Sequence, residues 1–143
     1  MKKILCILSI LVLTLTMGCT EEPTIPDDTP IKDLVPTEVN DLDFIDYQVS
    51  EYPFGEPLDQ IAAMYKTNSD INISLSICKF NNSDEASAEA EDLIQRYDEL
   101  QVIKIGAKYI IFSQDSFMFF VFGFPDSTQQ QVETLAKATG YYP

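Results

Sequence analysis

Ser116-Phe117-Met118-Phe119-Phe120-Val121-Phe122-Gly123-Phe124 is the stretch that decides this fold. Every residue after the serine is apolar or glycine. Side chains alternate along an extended strand, so Phe117, Phe119 and Val121 face one way. Met118, Phe120, Phe122 and Phe124 face the other. A strand that is apolar on both faces belongs in the interior of a sheet with both faces covered. The run falls far short of the ~20 apolar residues that a membrane-crossing helix needs.

Read outward from this strand, the chain is one strand–strand–helix unit written twice. Lys108–Ser113 precedes the strand across Gln114-Asp115, and a helix over Ser127–Thr139 follows it. Val132, Leu135, Ala136 and Thr139 share one stripe of that helix, with Gly140 as its stop. Upstream, Gln60–Thr67 and Ile71–Phe80 flank the turn Asn68-Ser69-Asp70 and lead into a helix over Ser83–Glu99. Its stripe is Ala86, Ala90, Leu93, Ile94 and Tyr97. Asn82 with Glu85, and Asp126 with Gln129, have the spacing of capping boxes. The copies are offset by about 45 residues without residue identity, so the repeat is architectural.

Two further strands are expected. Val102–Ile105 is a short one, with Gly106 as a bend after it. Ile45, Tyr47 and Val49 alternate with polar residues as a half-exposed strand does, and Tyr52-Pro53-Phe54-Gly55-Glu56-Pro57 ends it. The fold class that follows is α+β, an antiparallel sheet of about five to six strands with both helices on one face. Ile71, Ile73, Leu75 and Ile77 would face the helices, which turns Asn72, Ser74, Ser76 and Cys78 away. That second face is polar here but aromatic on the Phe117–Phe124 strand. Phe120, Phe122, Ser74 and Ser76 are therefore the candidate ligand or partner face. The expected cover for it is the segment Leu34–Pro57, with Ile45, Tyr47 and Val49 supplying the cover or an added strand at the edge; self-association and an open groove for an apolar ligand or peptide are the alternatives.

The chain begins with Met1-Lys2-Lys3 and an apolar run, Ile4–Met17, of about the length of a signal-peptide core. The run ends in Leu15-Thr16-Met17-Gly18-Cys19. This ending resembles the lipobox of bacterial and archaeal membrane lipoproteins, in which a leucine-like residue and two small residues precede the cysteine that is lipidated. Gly18 and Cys19 match that pattern, whereas Thr16 and Met17 depart from it. The resemblance covers the leader alone. It implies cleavage after residue 18, lipidation of Cys19 and an extracytoplasmic, membrane-anchored protein; an ordinary signal peptide of a secreted protein is the alternative. Residues 19–33 carry prolines and acids with almost no apolar spacing, the composition of an extended tether, and residues 34–143 form the single domain.

Composition narrows the chemistry. Loss of Lys2 and Lys3 with the leader takes the formal charge from −14 to about −16, which repels nucleic acid. Histidine is absent, so the commonest general base and metal ligand are missing. No P-loop, dinucleotide fingerprint, nucleophile elbow or CxxC occurs, and no cofactor is implied. Asp41, Asp43 and Asp46 lack the spacing of a calcium loop. Glu89/Asp92 and Glu91/Asp92 could in principle do acid–base work on glycosides, but they lie on the polar stripe of the first helix. With Cys19 acylated, Cys78 has no disulfide partner and reads as a half-buried strand residue. Asn72-Ile73-Ser74 and Asn81-Asn82-Ser83 have the form of glycosylation sequons. The reading is a lipid-anchored binding or interaction module with an envelope protein as partner, and not an enzyme. A carrier of a small apolar ligand and a carboxylate hydrolase are the rival classes.

Overall fold

The computed structural model describes residues 22–48, 55–99, 106–124 and 126–143. These residues form one antiparallel sheet of six strands: β1 (Glu38–Val39), β2 (Leu42–Gln48), β3 (Asp59–Thr67), β4 (Asn72–Lys79), β5 (Lys108–Gln114) and β6 (Phe117–Gly123). Their spatial order is β1-β2-β3-β4-β6-β5. Helix α1 (Ser83–Glu99) follows β4, and helix α2 (Gln129–Ala138) follows β6. The α+β class and the doubled strand–strand–helix order are as the sequence implies. The strand expected over Val102–Ile105, and Val49 of the alternating stretch, lie outside the described residues.

The doubly apolar strand is interior, as its composition demands. β6 pairs with β4 on one side and β5 on the other, and Phe117 through Val121 are all buried. Both hairpins turn on an aspartate with positive φ, Asp70 at 65° and Asp115 at 50°. Aspartate tolerates that backbone better than most residues.

The helices depart from expectation in one respect. They lie on opposite faces of the sheet, not on the same one. α2 lies over β5 and β6, and its Val132, Leu135 and Ala136 share one core with Phe119 and Val121 of β6 and with Ile73, Leu75 and Ile77 of the neighbouring β4. α1 packs Ala86, Ala90 and Leu93 against Cys78, Met118 and Phe120. The reason is where apolar surface is available. The α1-side residues of β4 include Asn72, Ser74 and Ser76, so α1 leaves its own hairpin and docks on β5 and β6. There the two apolar faces of one strand are each sealed by a helix. Gly123 allows α2 to close in: a Cβ there would collide with Ser127 and sit 2.7 Å from Val132 Cγ2.

The rest of the α2 face is closed by the N-terminal segment. Ile25, Ile31, Leu34 and Val35 are buried with Ala63, Tyr65, Ile73 and Leu75 in one core. A short 3-10 helix, Ile31–Leu34, packs on β3 and β4, and the Tyr65 hydroxyl donates to the Pro36 carbonyl at 2.7 Å. One expectation changes here: residues 23–33 are not a free tether, because Ile25 and Ile31 belong to the core. Of the segment Leu34–Pro57, residues 38–48 supply the added edge strands β1 and β2, and residues 49–54 lie outside the described residues. A register shift between Phe44 and Asp46 alters the phase of β2. Phe44 and Tyr47 therefore turn to the core while Ile45 is 55% exposed.

The caps follow local chemistry. Asn82 Oδ1 accepts the Glu85 backbone N–H at 2.9 Å, as its spacing implies. For α2 the box is Thr128/Gln131, two residues later than Asp126/Gln129. The Gln131 N–H donates to Thr128 Oγ1 at 3.2 Å, and Gln131 Oε1 accepts from the Thr128 N–H at 2.8 Å. Asp126 sits at φ 84°, a left-handed turn conformation unsuited to an N-cap.

Candidate functional site

β4 and β6 run side by side, and their register brings the four candidate residues together. Ser74 stands opposite Phe122, and Ser76 opposite Phe120, all on the α1 face. Most of this group is closed to solvent. Ser76 is 2% exposed, Phe120 1% and Ser74 9%, and Ser74 Oγ donates to the Phe122 carbonyl at 3.5 Å. The cover over Phe120 comes from α1, whose Tyr97 ring meets it edge-on at 5.1 Å.

The aromatic ladder opens toward the far end of β6. Phe120 and Phe122 are 5.9 Å apart between ring centroids, and Phe122 and Phe124 5.4 Å. Exposure rises along it, from the sealed Phe120 through the half-buried Phe122 to Phe124 at 39%. Tyr97 also reaches Phe122 at 6.3 Å and Tyr109 of β5 at 5.2 Å. Ile94, placed by the sequence on the buried stripe, is 37% exposed beside them along α1. The Tyr109 hydroxyl donates to Asp98 Oδ1 at 2.6 Å. Partial desolvation, then that hydrogen bond and the Asp98 charge, push the phenol up to about 12, so it stays a donor at neutral pH. The open portion is thus an apolar, ring-rich end of the sheet with one fixed hydroxyl. Tyr97 and Tyr109 belong to it, although the sequence alone marks neither as a site residue. Only the fold shows that the last turn of α1 meets β5 there.

This arrangement suits the burial of an apolar or aromatic side chain from another protein. Cys78 lies at the sealed end, 0% exposed, and burial followed by the Glu89 charge pushes its thiol up to about 12. The native protein is accordingly expected to resist dithionitrobenzoate at Cys78 until it is unfolded in urea, with Cys19 blocked. Prompt labelling of the folded protein would contradict this burial.

The carboxylates considered from sequence do not converge. Asp92 is paired with Arg96 on the exposed side of α1. Glu89 has one buried oxygen, Oε1, without a hydrogen-bond partner, and its carboxylate lies against Gly55 in the loop before β3. Among the described residues no three acids or thiols are grouped to hold a metal ion, and no helix is long and apolar enough to cross a membrane. Surface depressions of about 350 and 450 Å³ have mixed linings, Asn40, Thr128 and Gln130 with Leu42 in one, and Glu56, Asn81 and Glu85 with Phe80 and Ala88 in the other. Apolar ligands favour pockets lined by hydrophobic side chains. No family model, no curated protein and no solved structure matches this chain.

Proposed function

We propose that this chain is an exported, lipid-anchored interaction module of the cell envelope. Acyl chains on Cys19 hold it at the extracytoplasmic face of a membrane, and the aromatic end formed by Tyr97, Tyr109, Phe122 and Phe124 meets an envelope protein. The observation that carries the proposal is the apolar leader closing on Gly18-Cys19. Two acyl chains give stable attachment where one gives only reversible binding. The partner surface is supported by the gradient along the ladder, sealed at Phe120 and open at Phe124. Large exposed rings of this kind anchor protein interfaces more often than polar surface does. The excess of negative charge argues against nucleic acid as the partner.

Replacing Cys19 by alanine is expected to move the processed protein from the membrane to the soluble fraction. In native membranes, a photo-crosslinking residue at Phe124 should capture one defined partner, and the same residue at the exposed Lys137 on α2 should not. Retention of the leader-cleaved Cys19→Ala protein in membranes would overturn the anchor. Equal capture from positions 124 and 137 would overturn the surface.

A further inference from the structure

Four residues beyond the proposed lipid site the chain is already fastened to the domain. The Pro23 carbonyl accepts from Gln114 Nε2 at 2.9 Å, and the Ile25 N–H donates to Asp115 Oδ2 at 2.6 Å. Asp27 accepts from Lys79 Nζ through its carbonyl and from Ser116 Oγ at 3.3 Å through its carboxylate. Ile25 itself is 3% exposed, in the core. Every one of these partners lies at one end of the sheet, where β5 turns into β6 and where β4 ends. Successive Cα atoms are at most ~3.8 Å apart, and a fully extended chain advances ~3.5 Å per residue. From Cys19 to Pro23 the chain can therefore reach no more than about 14 Å.

We infer that the anchored domain has a fixed polarity on the lipid surface, with the β5–β6 turn end toward the bilayer and the Asn68–Asp70 end away from it. The inference rests on the lipid-anchor reading above. A strand advances ~3.4 Å per residue, so the two ends of the nine-residue β3 lie about 27 Å apart. A leash of 14 Å cannot place the far end at the membrane as readily as the near one. The polarity also sets out the aromatic surface. Phe122 and Gly123 pair with Ser74 and Ile73 at the start of β4, the end away from the turn. Phe124 and Tyr109 are thus carried on the side that looks away from the bilayer. Among the described residues at the near end, Asp27, Asp59, Asp84, Glu85 and Asp115 outnumber Lys79, so charge does not draw that end to lipid. The polarity comes from the leash.

The test uses the full acylated protein in phosphatidylcholine vesicles that contain a lipid with a nitroxide on its headgroup. A fluorophore is attached through Leu58→Cys or Asn68→Cys, two exposed positions that flank the opposite ends of β3. Cys78 is buried and does not compete for the label. Quenching is expected to be several-fold stronger at position 58 than at position 68. Inserting twenty Gly and Ser residues between Glu22 and Pro23 should abolish that difference while the protein still sediments with the vesicles. Equal quenching at both positions in a co-sedimenting protein would overturn the polarity alone, as would a difference that survives the insertion. A protein that does not co-sediment would overturn the anchor and the polarity with it.

Discussion

Truncating Phe119 to alanine is expected to destabilise the fold by about 3–5 kcal/mol, enough to consume a large share of a small domain's stability. Phe119 is 0% exposed at the centre of the α2 face. Its ring stacks on Phe112 of β5 at 4.8 Å with 2° between the planes, and Tyr141 closes over it at 6.0 Å. Ile77 stands opposite it on β4. With strands on two sides and a helix above, the site has little freedom to collapse onto the void, so the cavity term adds to the lost transfer energy. Phe120, one residue on, projects into the separate cluster beneath α1 and should show a cost of the same order. Urea denaturation of the two variants would check this, with the midpoint falling and the slope unchanged. A loss under about 1 kcal/mol at either position would mean that its face of β6 is not sealed as described.

The sequence is informative where a pattern is periodic and local. α1 spans Ser83–Glu99 in the structure as in the sequence reading, because its stripe and its Asn82 cap are both short-range signals. The strand phases of β4 and β6 were equally legible, and together they put Ser74 and Ser76 on the same face as Phe120 and Phe122. What a stripe cannot say is which face of a sheet it will meet. The apolar side of α1 was satisfied by Met118 and Phe120 on a later hairpin, a choice that depends on which strand surface remains uncovered. The bulge at Ile45 is similar. Alternation assigned Ile45 and Tyr47 to one side, but the extra residue lets only Tyr47 turn inward. The largest gap lies at the N-terminus. Ile25 and Ile31 stand singly among prolines and acids, with no period for a sequence reading to detect. Composition reads them as part of a tether, because disorder is judged from an average over the segment. Individual buried anchors in an extended segment do not change that average.

Replacing both Ile25 and Ile31 by alanine separates the two accounts of that segment most sharply. A tether carries no folding energy, so on that account the double variant unfolds like the parent. As part of the core, Ile25 at 3% and Ile31 at 8% exposure each lose a buried aliphatic side chain, and the pair should cost on the order of 4 kcal/mol or more. The expected route is informative as well. The segment is held to the sheet by a few contacts at its two ends, the Asp115 and Gln114 bonds at one and the 3-10 helix over β3 and β4 at the other. Once weakened, it can peel away before the sheet itself unfolds. Tyr65 and Ile73 would then gain solvent in the native state, and the urea slope should fall along with the midpoint because less surface remains to be exposed. Peeling would also lengthen the leash to the membrane, so the same variant should lose the quenching difference between positions 58 and 68 while it stays bound to vesicles. An unchanged midpoint and slope would show that residues 23–33 add nothing to the core, and the short leash would go with them.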